Sequence, residues 1–414
     1  MTAAIDAAAL TALDHEVLDW RFKGLPVGWS GRTPAQITAA APELFDDGPL
    51  GPICVLREDA LEHNLATMAA WCSHHDVGLA PHGKTHMAPQ LYARQLAAGA
   101  CAVTVATISQ LRSYRAFGVQ RAILANELVD PAGLRWLATE LDADPDFDVV
   151  CWVDSVRGVQ LMADALTAAG AKRQLQVCVE VGAAGGRTGA RTDADIDTVA
   201  AAAAACPRLR LVGVAGYEGA LGHDISAAGR SPVWAYLESV RAAVLRLAGR
   251  FESDEVLVTA GGSTHFDLVA EVLAADWPTS LPVRTVLRSG CYLTHDDGLY
   301  ARTSPLRGQG LRPALSVWAQ VCSTPEPGLA LLTMGRRDVS FDQDLPVPRE
   351  LPSATVTALN DQHAFLRLEA GAGVRVGDWV EFGVSHPCTV FDKWPMIPVL
   401  DADNRVRALV RTFF

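Results

Sequence analysis

Hydrophobic and polar positions alternate in two different ways along the chain, and the change falls near residue 305. Between residues 50 and 290, a short apolar run rich in β-branched residues is repeatedly followed by a turn and an amphipathic stretch. This order predicts βα units and a parallel sheet. The predicted strands are Ile53–Arg57, Val77–Pro81, Ala102–Ala106, Ala122–Ala125, Val149–Val153, Leu175–Glu180, Leu209–Ala215, Val256–Thr259 and Arg284–Leu287. The predicted helices include Leu61–Ser73, Ser109–Phe117, Val156–Ala169, Thr198–Ala205 and Tyr236–Leu247.

These predicted strands are one more than a (β/α)8 barrel needs, and a doubly wound open sheet could also accommodate them. Polar residues suited to chemistry follow several of the strands, namely Lys84, Arg187, Tyr217, Ser263 and Tyr292. A barrel builds its site from the carboxyl ends of several strands, whereas an open sheet concentrates the site at one switch point. The pattern therefore favours a (β/α)8 barrel, which we assign to residues 50–305.

After about residue 305, prolines and glycines separate short runs of alternating polarity, which is typical of an all-β domain. The predicted strands are Leu315–Val321, Leu329–Thr333, Ala354–Leu359, Ala364–Leu368 and Asp378–Phe382. We expect the extra first strand, Ile53–Arg57, to join this domain. The β domain would then be discontinuous, and we assign residues 1–49 and 306–414 to it.

Composition narrows the class of protein. The 414 residues are 50% hydrophobic and 20% charged, which is typical of a globular protein. A formal net charge of -12, without any lysine-rich or arginine-rich run, argues against nucleic acid and anionic membranes as partners. We expect neither a signal peptide nor a membrane span, because the first residues lack a basic start and no apolar run is long enough. Nine cysteines without a CxxC pair indicate a cytoplasmic protein.

The segment APHGKTH, residues 80–86, places Lys84 between two histidines. Only four of the 35 basic residues are lysines, so a retained lysine hints at chemistry that a guanidinium cannot perform. An ammonium group can lose its proton and attack a carbonyl, whereas arginine stays charged. A solvated surface lysine is the alternative. The flanking His82 and His86 also leave open a metal site or a phosphate loop.

Two glycine-rich segments could approach a ligand closely. TAGGSTHFD, residues 259–267, lies between a strand and a helix, where backbone N–H groups and Ser263 could bind an anion. SGCY, residues 289–292, could complete this cradle, while a tight turn with a serine N-cap is the alternative. VEVGAAGGRTG, residues 179–189, offers Arg187 as a fixed cation for a phenolate or carboxylate. A salt-bridged loop arginine would explain this residue equally well.

A possible metal site lies near the C-terminus in SHPCTVFDKW, residues 385–394. His386 and Cys388 are two residues apart, so in an extended segment both side chains would lie on one face and could hold zinc. Asp392 is a candidate for a further ligand or a hydrogen-bond acceptor behind the ligands. An accidental pairing of histidine and cysteine is the alternative.

Taken together, the segments APHGKTH, VGAAGGRTG, GYEG, AGGST, SGCY and SHPC resemble a known family in their order and spacing. This is the family of D-threonine aldolases and eukaryotic-type D-serine dehydratases, which depend on pyridoxal phosphate. The similarity extends from about residue 20 to residue 400. It implies an alanine-racemase-like (β/α)8 barrel, or TIM barrel, with a C-terminal β domain. It also implies a homodimer with the site near the subunit interface.

The resemblance implies a role for each matching residue. Lys84 would form the Schiff base with pyridoxal phosphate, Arg187 would meet the phenolate oxygen, and Tyr217 would line the ring or substrate. The residues around the phosphate would be Gly262, Ser263, Gly290 and Cys291. His386 and Cys388 would bind a divalent metal beside the substrate hydroxyl. Two positions depart from the family pattern, because Ala80 stands where arginine is frequent and Met87 where lysine is frequent.

The resemblance predicts a lyase that acts on small β-hydroxy D-amino acids. Family aldolases tend to have aspartate where Cys388 stands, and dehydratases have cysteine. A thiolate selects Zn²⁺ over Mn²⁺ or Mg²⁺, so Cys388 favours a dehydratase that releases an α-keto acid and ammonia. A retro-aldol cleavage to glycine and an aldehyde is the alternative. A racemase and a non-catalytic pyridoxal-phosphate-binding protein are further alternatives.

Overall fold

The structure is a computed structural model that describes residues 4–306, 310–369 and 373–414. Within these ranges the strands are β1 (Ile53–Arg57), β2 (Gly78–Leu79), β3 (Val103–Val105), β4 (Arg121–Glu127), β5 (Asp148–Val153), β6 (Leu175–Val181), β7 (Leu209–Gly216), β8 (Val256–Ala260), β9 (Val283–Leu287), β10 (Leu315–Glu326), β11 (Leu329–Leu332), β12 (Val347–Pro348), β13 (Thr355–Leu359), β14 (Ala364–Arg367), β15 (Trp379–Gly383), β16 (Met396–Leu400) and β17 (Val406–Arg411). The α-helices are α1 (Ala7–Leu13), α2 (Pro34–Ala40), α3 (Glu58–His74), α4 (Pro89–Ala97), α5 (Ile108–Ala116), α6 (Pro131–Ala143), α7 (Val156–Ala168), α8 (Asp193–Ala204), α9 (Ala227–Arg246), α10 (Phe266–Leu273), α11 (Leu299–Thr303) and α12 (Cys388–Phe391).

The chain forms two compact units, and each is assembled from separate stretches of sequence. The first, called here the barrel unit, consists mainly of Ala69–Lys84 and Gln95–Gly290. The second, called here the β unit, consists of Asp6–Met68, Thr85–Arg94 and Cys291–Phe414. Of the helices within the described ranges, none is long and apolar enough to cross a membrane.

The sheet of the barrel unit is entirely parallel and has the strand order β2-β9-β8-β7-β6-β5-β4-β3. Its two outer strands are joined by backbone hydrogen bonds, from Cys101 N–H to Leu79 O (2.8 Å) and from Thr104 N–H to Pro81 O (2.9 Å). The sheet therefore closes on itself. Most barrel strands are buried over nearly their whole length, as expected for parallel strands covered by helices. The predicted (β/α)8 barrel is confirmed.

Several helices of the barrel unit begin where the sequence supplies a capping side chain. Each of these side chains accepts a hydrogen bond from a backbone N–H two or three residues later, and thereby satisfies a donor that the helix itself leaves unpaired. The capping residues are Thr107, Asp130, Ser155, Thr192 and Ser226. These caps end the loops that follow the strands, and such loops carry the functional residues of a barrel.

The first predicted strand of the βα region, β1, lies in the β unit. It pairs antiparallel with β10 and parallel with β16, within the sheet order β13-β14-β11-β10-β1-β16-β17. The sequence did not reveal β12, β16 and β17. All five positions of β16 are buried, so no alternation of polarity marks it, and Pro398 argues against a strand. The C-terminal all-β domain is nevertheless confirmed as an antiparallel-rich sheet.

Candidate active site

Lys84 lies in the 3-10 turn Gly83–Thr85, which follows the short strand β2. Gly83 is required there because a Cβ atom at this position would lie 2.5 Å from the Tyr114 hydroxyl. The same hydroxyl donates a hydrogen bond to Gly83 O at 3.1 Å. The turn that carries the Lys84 amine is therefore held against α5 of the barrel.

His82 is kept neutral by its surroundings. Burial lowers its pKa well below the ordinary value, and the positive charges of Lys84, Arg288 and Arg187 lower it further. Its Nδ1 atom is shielded from solvent and has no hydrogen-bond partner among the described residues. A neutral imidazole beside three cations adds no further positive charge near the Lys84 amine. His86 lies in the β unit, where its Nδ1 accepts a hydrogen bond from Ala88 N–H.

Arg187 and Tyr217 lie together in the barrel unit. The Arg187 guanidinium stands 4.4 Å from the centre of the Tyr217 ring, a cation–π contact. Both side chains line one small cleft with Glu180 and Tyr236. The glycine-rich loop that carries Arg187 is held by Arg191, whose guanidinium donates to the carbonyl groups of that loop. Arg187 itself is exposed, as a side chain that binds a ligand anion must be.

The turn after β8 already binds an anionic group of the protein itself. The Glu218 carboxylate accepts hydrogen bonds from Gly261 N–H (2.9 Å) and Gly262 N–H (2.6 Å), and Glu218 is fully buried. Ser289, at the end of the next strand, donates to the carbonyl oxygens of Gly261 and Gly262. The alternative of a serine N-cap does not apply, because α10 begins at Phe266 with His265 at its N-cap position. The two N–H groups of this turn are thus both occupied by an internal carboxylate.

Arg288 is a functional candidate that sequence reasoning missed. It follows β9, and its guanidinium donates to Thr259 Oγ1 and Gly216 O, each at 2.7 Å. Burial lowers its pKa, while the negative charges of Glu218 and Glu180 oppose that shift. The only signal in the sequence was its place directly before SGCY, at the end of a strand.

A pair of carboxyl groups, Glu127 and Glu180, was also missed. Glu127 ends β4, and Glu180 lies near the end of β6. Burial, followed by the repulsion of the neighbouring Glu180 carboxylate, raises the pKa of Glu127 to about 8. One of these two carboxyl groups therefore keeps a proton at neutral pH. Each looked like an ordinary strand-end residue in the sequence.

In the β unit, the segment around His386 and Cys388 is not extended, so the spacing argument for a shared face does not apply to it. His386 has a left-handed backbone with φ +70°, and Cys388 is the first residue of α12. The buried Asp296 carboxylate accepts a hydrogen bond from His386 N–H at 2.9 Å. The same carboxylate also binds the backbone N–H groups of Gly298 and Tyr300. This tertiary contact accounts for a backbone conformation that spacing alone could not reveal.

Both donor side chains have close partners within the β unit. His386 Nδ1 lies 2.5 Å from Asp342 Oδ2, and the Thr389 hydroxyl donates to Asp342 Oδ1 at 2.7 Å. Burial alone would raise the pKa of Asp342, but hydrogen bonds from Thr389 and His386 hold it below the ordinary value. Cys388 Sγ lies 3.3 Å from Cys291 Sγ. Within the described ranges, no three His, Cys, Asp or Glu side chains are grouped as a metal site.

The donors present fit a divalent metal that takes two protein ligands and keeps open positions. Imidazole and thiolate are the donors that zinc prefers. With its Nδ1 held by Asp342, His386 has Nε2 left for a metal. Asp392 does not form a group of three donors with this pair among the described residues, and its carboxylate lies 3.5 Å from Lys393 Nζ. The Cys291 side chain, which the resemblance placed near the phosphate, contacts Cys388.

Two family models match the chain. The alanine racemase N-terminal domain matches residues 56–277, and the putative serine dehydratase domain matches residues 314–400. The chain is 31% identical to a D-threonine aldolase of Arthrobacter sp., over 78% of this chain and 81% of the relative. It is 25% identical to the D-threo-3-hydroxyaspartate dehydratase of Delftia sp. strain HT23, over 87% and 96%.

A solved structure agrees with these sequence matches. The D-threonine aldolase of Filomicrobium marinum superposes with a TM-score of 0.76 at 26% identity, covering 88% of this chain and 95% of that one. The barrel and the β sheet described above are thus those of a known architecture. The chain belongs to the pyridoxal-phosphate-dependent family of D-threonine aldolases and D-serine dehydratases, whose barrel is the alanine racemase N-terminal domain.

Proposed function

We propose that this protein is a lyase that uses pyridoxal phosphate and a divalent metal, and that it dehydrates a small β-hydroxy D-amino acid to an α-keto acid and ammonia. The observation that supports the choice of reaction is that a cysteine, Cys388, stands two residues after His386, where we propose that the metal binds. A thiolate donor favours Zn²⁺ over Mn²⁺ or Mg²⁺. The named relatives include a dehydratase of a β-hydroxy D-amino acid, which supports the same reaction class.

Each candidate site residue has a separate role in the proposed reaction. Pyridoxal phosphate, when bound, withdraws electrons from the substrate Cα. Lys84 would hold the cofactor and would take the proton from Cα. Arg187 would neutralise the phenolate oxygen, and Tyr217 would line the ring. His386 and Cys388 would hold the metal, which would supply Lewis acidity to the β-hydroxyl as leaving group.

The proposal also includes the residues around the phosphate, the domain bounds, the cellular location and the oligomeric state. Gly262, Ser263, Gly290 and Cys291 surround the phosphate, and the carboxylate already bound by Gly262 N–H supports the affinity of this turn for anions. We propose residues 50–305 as the segment of the chain that supplies the barrel and residues 1–49 with 306–414 as the segments of the β domain, to which residues 50–305 add β1. We also propose a cytoplasmic homodimer, because the cysteines are free and the family resemblance implies a dimer.

A second candidate is the aldolase reaction, which cleaves the Cα–Cβ bond to give glycine and an aldehyde. The 31% identity to a D-threonine aldolase favours it. The two reactions need the same cofactor and the same donors, so the products decide between them.

The test is a product assay with D-serine, D-threonine and 3-hydroxy-D-aspartate, run with and without a chelator. We expect α-keto acid and ammonia, loss of turnover on verified metal removal, and recovery with Zn²⁺. Glycine and an aldehyde as the sole products would instead establish the aldolase. A Lys84→Ala protein should lose the yellow absorption of the bound cofactor, whereas the exposed control Lys172→Ala should keep it. Retention of the band by Lys84→Ala would exclude the cofactor assignment.

A further inference from the structure

The side chain of His386 is held from one side by an acidic residue that lies 44 positions earlier in the chain. Asp342 Oδ2 is 2.5 Å from His386 Nδ1, and Asp342 Oδ1 accepts the Thr389 hydroxyl at 2.7 Å. Both carboxylate oxygens are therefore used, and the carboxylate cannot rotate without breaking one of these bonds. The backbone of His386 is fixed separately by the Asp296 carboxylate.

A carboxylate has no proton to give, so the imidazole must be the donor in this contact. Nδ1 then carries the hydrogen atom, and in the neutral ring Nε2 is the atom with the free lone pair. We propose that Asp342 is a positioning residue: it holds His386 as the Nδ1–H tautomer and thereby makes Nε2 the nitrogen that binds the metal. Thr389 fixes the second carboxylate oxygen and sets the plane of the pair. This inference rests on the proposed function only in naming a metal as the ligand.

The tautomer can be measured without any metal. NMR spectra are recorded on metal-free protein labelled with ¹⁵N-histidine. The ring nitrogen signals of His386 are those that are present in the wild type and absent in His386→Asn. We expect Nδ1 to be protonated and Nε2 to be unprotonated in the wild type. In Asp342→Ala we expect the ring to populate both tautomers. A wild-type His386 protonated at Nε2 would overturn the proposal, whatever the enzyme turns over.

Zinc affinity, measured by competition with a fluorescent chelator, tests the consequence for the ligand. Loss of a carboxylate behind a metal-binding histidine typically weakens metal affinity about tenfold to a hundredfold. We expect a loss of this size in Asp342→Ala, a smaller loss in Thr389→Val, and substantial rescue in Asp342→Glu. Asp344→Asn is the control. It removes one negative charge two residues from Asp342, and the Asp344 carboxylate contacts Arg302 and Ser385 and not His386.

The outcomes separate this inference from the proposed function. Equal zinc affinity in Asp342→Ala and the wild type would refute the positioning role while leaving the metal intact. A wild type that binds no zinc would refute the metal assignment, and the tautomer measurement would still decide the role of Asp342. If Asp344→Asn lost as much zinc affinity as Asp342→Ala, the loss would reflect the negative charge of the loop in general. That result would count against the proposal.

A separate observation concerns the sulfur of the other donor. Cys291 Sγ and Cys388 Sγ are 3.3 Å apart, in a cluster with Leu299 and Tyr300. A disulfide requires a sulfur separation of about 2.05 Å, so the two atoms need to approach by only about 1.3 Å. Cys291 is buried, whereas Cys388 is partly accessible. We infer that metal-free protein is oxidised at this pair, and that bound metal and the disulfide exclude each other.

The oxidant we consider is hydrogen peroxide, and the reaction balances in two steps. The Cys388 thiolate attacks one peroxide oxygen, which gives a sulfenic acid and, with one proton, releases water. The Cys291 thiol then attacks the Cys388 sulfur, which forms the S–S bond and releases a second water. Both sulfurs are oxidised and the peroxide is reduced. A disulfide leaves no thiolate on Cys388 to bind metal.

The test treats metal-free and zinc-loaded protein with dilute peroxide and maps the disulfides by peptide mass spectrometry. A Cys322→Ser background removes the exposed thiol, which would otherwise link molecules. We expect a Cys291–Cys388 disulfide that lowers zinc affinity at least tenfold and that prior zinc suppresses. Cys291→Ser should instead leave a Cys388 sulfenic acid that dimedone traps. Absence of the disulfide in metal-free protein, or its unhindered formation under saturating zinc, would contradict the inference.

Discussion

At the scale of single residues, the barrel unit concentrates acidic side chains at the carboxyl ends of three neighbouring strands. Glu127 ends β4, Asp154 follows β5, and Glu180 lies near the end of β6. Burial and the nearby carboxylates make ionisation of Glu127 costly, so its pKa rises to about 8. Such a group favours the folded state while it can keep its proton and opposes it when it must ionise.

We therefore predict that Glu127→Gln stabilises the protein at pH 8 relative to the wild type and has less effect near pH 5. In the unfolded chain the carboxyl ionises near pH 4.5, so between about pH 5 and pH 8 the folded state binds the extra proton. The protonated Glu127 therefore contributes fully to the free energy of unfolding below that pH range. This contribution is lost as the pH rises through the range, by at most about 1.4 kcal/mol per pH unit. Urea unfolding at both pH values measures the difference.

The matched control for this prediction is Glu238→Gln, which changes an exposed carboxylate on α9 of the same unit. We expect it to alter the urea midpoint equally at both pH values. If the free energy of unfolding of Glu127→Gln differed from that of the wild type by the same amount at both pH values, Glu127 would ionise normally in the folded protein.

At the scale of elements, the turn between β8 and α10 depends on one internal carboxylate. Glu218 pairs with the N–H groups of Gly261 and Gly262, and Gly261 has φ +98°, a conformation that favours glycine. Two backbone donors at a buried turn need an acceptor. The carboxylate thus satisfies both donors and holds the turn in its observed shape.

We predict that Glu218→Ala destabilises the protein by roughly 2 to 6 kcal/mol, because it leaves two donors without an acceptor and each costs about 1 to 3 kcal/mol. Glu218→Gln should cost less, since its amide keeps one acceptor oxygen. Hydrogen exchange at the amides of Gly261 and Gly262 should accelerate in Glu218→Ala, and cofactor affinity should fall with it. Unchanged exchange at both amides would mean that the carboxylate does not hold the turn.

Elements also differ in how well local pattern predicts them. The barrel strands were predicted to within about two residues at each end, for example β6 and β7, because apolar runs bounded by turn residues mark them. The spacing of His386 and Cys388 would place both side chains on one face of an extended segment, but Cys388 begins a helical turn, α12. The left-handed backbone of His386 is imposed by Asp296, which lies 90 positions away and is invisible to any local pattern.

At the scale of the whole molecule, the order of elements, together with the polar residues that follow several strands, was sufficient to predict a barrel and a β domain. Alternating βα units require a parallel sheet with helical crossovers, and only a few topologies satisfy that requirement. Closure of the sheet, however, depends on the hydrogen bonds from Cys101 N–H to Leu79 in β2 and from Thr104 N–H to Pro81 just after it. The same is true of β1, whose partners β10 and β16 lie far along the chain.

The sequence by itself determined the fold class, the rare lysine at position 84 and the donor types of His386 and Cys388. These follow from local periodicity, composition and short motifs. Only the tertiary structure decided that Asp342 holds His386, that Cys291 meets Cys388 across 97 positions, and that Glu218 fills the glycine turn. The physical reason is that charge pairing, burial and pKa depend on neighbours in space, which a chain acquires only by folding.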